Sequence, residues 1–176
     1  MGPTMLFRYK HLRRRCQSVL NQIRIPRPFE VEAFCGSLAD SRGRPLHLHP
    51  LPAGADGPHI YGMWLATSSD DHIFAESRTS RPHWEHIVMH EIAHMLFDHH
   101  RLGGTADDVL SGGLVTDLAP GTVRRILARS GYSTEQEQEA EFLASLMCTA
   151  AARSTEAHPV TPLGELRAAL GFAHDN

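Results

Sequence analysis

No stretch of this 176-residue chain approaches the roughly 20 consecutive apolar residues that a membrane span requires. Near the basic N-terminus, Met5-Leu6-Phe7 is shorter than the about 7 to 15 apolar residues of a secretory signal, so a cytoplasmic protein is expected. Cysteine is scarce. Cys16, Cys35 and Cys148 stand far apart with no CxxC spacing, which argues against a disulfide framework or a thiolate zinc knuckle and favours reduced thiols. Excess positive charge is also lacking: a formal net charge of −3 opposes a surface built to grip nucleic acid, and no direct nucleic-acid partner is expected. One local exception is the segment from Met1 to Phe29, where Arg8, Lys10, Arg13, Arg14, Arg15, Arg24 and Arg27 occur with no acidic residue. It reads as a solvated helix face, or else as a docking surface for an acidic partner or nucleic acid.

What is present suits one domain, since 41% hydrophobic residues over this length build a single core. Its expected parts are an N-terminal helical part (1–44), a catalytic core (45–151) and a C-terminal helix or tail (152–176). Helices are expected over about Leu6–Ile23 and, beyond Pro26 and Pro28, over about Glu30–Asp40. Three strands follow. Leu46 and Leu48 alternate with His47 and His49, while Ile60–Ala66 and His72–Glu76 are rich in strand formers and flank the turn Ser68-Ser69-Asp70-Asp71. They predict a small antiparallel sheet with His72–Glu76 at its edge. Ser80 and Pro82 open a helix expected to run to about His99 and to stop at Gly103-Gly104. A glycine-punctuated connection with a short helix near Val123–Ala128 follows. Thr134 with Glu137 then makes a capping box for a helix over about Glu135–Ala151, and Thr161–Leu170 predicts a short terminal helix.

The segment His90-Glu91-Ile92-Ala93-His94 carries the chemistry. Helical residues four apart differ by about 40° in direction and about 6 Å in height, so the two imidazoles converge on one point. On the helical wheel His83, His86, His94, Asp98 and Glu91 share a sector with His90, opposite a core face of Trp84, Val88, Met89, Ile92, Met95 and Leu96. HExxH by itself also arises in an ordinary amphipathic helix with surface histidines. The last helix adds a second signal: Glu139 projects from an apolar stripe of Phe142, Leu143, Leu146, Met147 and Ala150, with Glu137 and Glu141 on the other side. A buried carboxylate needs a metal or a cationic partner such as a buried arginine. Glu139 is therefore the expected third ligand of a His2Glu zinc site with an open position for water, and Glu91 the general base. Glu135, one turn earlier, is a rival ligand or an outer hydrogen-bond partner. His100 has the spacing of a metzincin third histidine, although Phe97 stands where that motif needs glycine.

His90-Glu91-Ile92-Ala93-His94 followed by Glu139-Ala140-Glu141-Phe142-Leu143-Ala144 resembles the ImmA/IrrE-type metallopeptidases over roughly Leu46–Ala151, and His99 matches a further histidine common there. The resemblance implies a zincin-like α+β fold, in which a small antiparallel sheet packs on the HExxH helix and a second ligand-bearing helix. It also implies Zn2+ and cleavage of a protein substrate, a repressor or other transcriptional regulator of a mobile element or stress-response locus. The chain departs from the pattern where Glu141 replaces an asparagine, Leu143 a phenylalanine, and Met147-Cys148-Thr149-Ala150 an aliphatic-Met-Pro ending. Leu143 also stands where thermolysin-like enzymes carry an aspartate. Tyr132, His99 and Tyr61 are candidates to stabilise an oxyanion. The alternative class is a non-catalytic zinc-binding regulator, against which Glu91 argues because a structural site has no use for a carboxylate there.

Overall fold

The computed structural model describes residues 3–52, 61–67, 69–99 and 131–155. The glycine-rich connection up to residue 130, the expected helices at Val123–Ala128 and Thr161–Leu170, the Gly103-Gly104 stop and His100 lie outside them. The described chain is α+β, with four helices and a three-stranded sheet. In order these are α1 (Pro3–Leu20), α2 (Val31–Arg42), β1 (Leu46–Pro50), β2 (Gly62–Ala66), β3 (Asp71–Ala75), α3 (Arg81–Leu96) and α4 (Thr134–Thr155).

The sheet is mixed rather than antiparallel. Its order is β1-β3-β2, with β1 parallel and β2 antiparallel to β3. β3, expected at the edge, is therefore central, and β1 and β2 are the edges among the described residues. Alternation sends Leu46, Leu48, Trp64, Ile73 and Ala75 to the core face, packed with α3 and α2. His47, His49 and His72 lie on the opposite face, with His49 Nε2 3.1 Å from His72 Nδ1. The buried carboxylate of Asp71 is met by Arg42 at 3.1 Å, by Arg44 at 3.4 Å and by the Trp64 indole N–H at 3.1 Å. This satisfies a charge that would otherwise be costly at the start of the central strand.

α3 lies between the sheet and α4, and α1 packs on α4. It is less amphipathic than the wheel implies: Ile87, Val88, Met89, Glu91, Ile92, Ala93, His94 and Met95 are all buried, because elements cover it on two sides. Ser80 is extended in the N-cap position but makes no side-chain cap bond. The helix stops at Leu96 rather than His99, since Asp98 takes a left-handed φ of 54°. The turn is closed by Asp98 N–H to Met95 O at 3.2 Å and His99 N–H to His94 O at 3.0 Å. This cap folds His99 back beside His94.

The capping box of α4 falls one residue earlier than Thr134/Glu137. Ser133 N–H donates to Gln136 Oε1 at 2.8 Å and Gln136 N–H to Ser133 Oγ at 3.3 Å. Glu137 is thus not spent on the cap.

Candidate metal centre

His90 and His94 are brought together by helical spacing alone, with their Nε2 atoms 3.0 Å apart. The carboxylate that joins them is Glu137, whose Oε2 lies 3.2 Å from His90 Nε2 and 3.8 Å from His94 Nε2. Donors on a tetrahedral zinc with bonds of about 2.0 to 2.1 Å stand about 3.3 Å apart. The three ligand atoms, all within 4.8 Å of one another, therefore fit such an ion with little rearrangement.

The remaining ring nitrogens are held from outside. His90 Nδ1 is 3.4 Å from Glu141 Oε2, which also lies 3.2 Å from His86 Nε2. His94 Nδ1 is 3.0 Å from His99 Nδ1. Histidines that bind metals through one nitrogen are usually oriented in this way through the other.

Glu139, expected as the third ligand, stands elsewhere. It forms an ion pair with Arg15 of α1 and lies 3.0 Å from His99 Nε2, so an arginine is its partner. The reason lies in how α4 packs. Its buried seam is Ala140, Leu143, Ala144, Met147 and Ala151, whereas Phe142 and Leu146 are only half-buried and Phe142 meets Tyr9 of α1 edge-on. Measured from Ala140, Glu137 stands about 60° to one side and Glu139 about 100° to the other. A wheel centred on the large residues puts Glu139 in the middle; the small ones, where helices approach closest, put Glu137 and Glu141 beside α3. The signal was the matching spacing of Glu137 and Glu141 to His86, His90 and His94.

Of the remaining candidates, Tyr132 stacks on the His94 ring with centroids 3.5 Å apart and planes 12° apart. Tyr61 is exposed against His83, about two turns of α3 before His90. Glu135 is exposed and pairs with Arg8 at 3.6 Å. Glu91 is buried under β2: a Cβ on Gly62 would fall 2.7 Å from Glu91 Oε1, so only glycine leaves that carboxylate its place.

No family model, curated protein or solved structure matches this chain. The centre is therefore read from its own chemistry. Burial pushes His94 down to about 4, with the nearby Glu137 carboxylate offsetting it only in part. Burial also presses on His90, but the hydrogen bond to Glu137 and the charges of Glu91, Glu137 and Glu141 outweigh it and raise His90. The hydrogen bond from His90, with the His94 ring close by, holds Glu137 well below the usual carboxylate range. Burial lowers His99, against the pull of Glu139. An ionised Glu137 and a neutral His94 are the forms that bind a metal.

Proposed function

We propose that the chain is a zinc-dependent peptidase of zincin-like organisation, akin to the ImmA/IrrE type. Its ligands are His90 Nε2, His94 Nε2 and Glu137. The single observation that carries this is the donor triangle of 3.0, 3.2 and 3.8 Å on two helices, with the buried Glu91 next to His90. Zinc bound there supplies a Lewis acid and a water acidic enough to lose its proton near neutral pH.

Glu91 would be the group to take a proton from the attacking water and return it to the leaving amine. Tyr132, stacked on His94, is the candidate donor toward an oxyanion. An extended substrate segment runs along β2, the edge strand that crosses Glu91 at Gly62, through backbone hydrogen bonds. The substrate class is a protein regulator, as the resemblance implies, acted on inside the cell. No helix among the described residues is long and apolar enough to cross a membrane.

The test is Glu91→Gln, which keeps shape and ligands but cannot take a proton. It should retain about one zinc per chain and lose about 10² to 10⁴ in cleavage rate. The assay coexpresses the chain with a repressor encoded beside it and follows cleavage and derepression, with His90→Ala as the metal-free control. If Glu91→Gln derepresses as well as the wild type while His90→Ala fails, the protein is a non-catalytic zinc-binding regulator instead.

A further inference from the structure

Three side chains that neither hold the metal nor reach the reacting atoms form one chain of contacts behind His94. Arg15, on α1, forms an ion pair with Glu139 Oε1. Glu139 Oε2 lies 3.0 Å from His99 Nε2, and His99 Nδ1 lies 3.0 Å from His94 Nδ1. His94 and His99 are buried, Glu139 is half-buried and Arg15 is 45% exposed. We propose that Arg15 is a positioning residue for the metal centre: through Glu139 and His99 it fixes the proton of His94 on Nδ1 and turns the Nε2 lone pair toward His90 and Glu137.

With His99 in its neutral form, these contacts leave one arrangement. A guanidinium offers only N–H donors, so Glu139 is the acceptor in its contact with Arg15. His99 must then donate to Glu139 from Nε2. A neutral imidazole has one N–H, so His99 Nδ1 is an acceptor and His94 Nδ1 must be the donor. His94 is left with its lone pair on Nε2, the atom that faces the other two donors. If Glu139 lost its charge or its place, His99 could present N–H at Nδ1, and His94 would turn a proton toward the metal.

The rings are held for this purpose. The Arg15 guanidinium lies 4.7 Å over the Phe97 ring, and Phe97 in turn stacks on His99 at 5.2 Å and 18°. The left-handed turn at Asp98 ties the His99 backbone to His94 O at 3.0 Å. Arg15 thus braces His99 by two routes, and the basic N-terminal helix becomes part of the metal centre's outer frame. Metal affinity should therefore respond to the seating of α1.

This rests on His94 being a metal ligand, but the tautomer it dictates is measurable with no metal added, so the two ideas fail separately. The experiment compares wild type, Arg15→Met, Arg15→Lys and Glu139→Gln in the full chain. Ring 15N shifts of His94 and His99 are recorded in chelator-treated protein, and zinc affinity is measured by competition with a chromophoric chelator. Wild type should show His94 protonated on Nδ1 and His99 on Nε2. Arg15→Met should mix these tautomers and weaken zinc binding about 10- to 100-fold, the range usual for outer-shell partners. Arg15→Lys should restore most of both. Glu139→Gln should act like Arg15→Met and decides the matter should Arg15→Met not fold. A variant that lowers the melting temperature but leaves tautomers and zinc affinity as in wild type overturns the proposal, leaving Arg15–Glu139 a structural tie between α1 and α4. A wild type that refuses zinc yet shows the stated tautomers overturns the metal reading and keeps the relay.

Discussion

His90 Nε2 lies 3.2 Å from Glu137 Oε2 although 47 residues separate them, and each is held by a different helix. Glu139 is two residues further on, yet the same helix turns it to Arg15 and His99.

That contrast separates two carboxylates by experiment. Glu137→Ala should abolish tight zinc binding, whereas Glu139→Ala should weaken it by about 10- to 100-fold through loss of outer support. Zinc content after dialysis against a competing chelator ranks the two. The reverse order would restore Glu139 as the ligand.

Gly62→Ala tests how Glu91 is seated. The new methyl group would lie 2.7 Å from Glu91 Oε1 and 2.8 Å from Ile87 Cγ2, so the carboxylate must move. Overpacking of this kind costs about 1 to 3 kcal/mol. On the proposed mechanism the protein should stay folded and keep its zinc but lose most peptidase activity. Unchanged cleavage with zinc bound would show that Glu91 needs no such room.

Asp71→Ala leaves Arg42, Arg44 and the Trp64 indole without their shared acceptor. A fully buried pair broken on one side costs about 3 to 5 kcal/mol. Arg42 and Arg44 are 29% and 30% exposed, so water can take over part of their solvation and the loss should fall at the lower end, about 3 kcal/mol. Urea unfolding of the variant measures it.

Stability should fall as the solution is acidified below about pH 6.5, in part through His49 and His72. Burial, then the neighbouring histidines, hold both below their ordinary value of 6.5 in the folded chain. The unfolded chain therefore takes up protons first as pH drops, which favours unfolding; above 6.5 neither state binds the proton and the effect vanishes. The urea midpoint should drop between pH 7.5 and 5.5, and His72→Gln should reduce that drop. An identical pH slope in the variant would remove the histidine pair from the account.

Much of this was legible from local periodicity. The convergence of His90 and His94 needs only a helix, and the existence of all four described helices and three strands follows from proline, glycine, turn residues and apolar spacing. Those signals act within a few residues, so the local pattern is enough to set His90 and His94 one turn apart on a single helix. It did not determine the strand pairing. Alternation in Leu46–Pro50 reads the same beside a parallel or an antiparallel neighbour, and only the assembled sheet places β3 between β1 and β2.

The rotation of α4 about its own axis was likewise a tertiary matter. Which of Glu135, Glu137 and Glu139 meets the histidines depends on which seam approaches α3. The small residues Ala140, Ala144 and Ala151 set that seam by allowing close contact, while Phe142 meets Tyr9 of α1. His99 reaches His94 only because Asp98 breaks the helix in a left-handed turn. A helix wheel carries the direction of each side chain around its own axis but not the direction of the partner, and that partner is supplied by the fold.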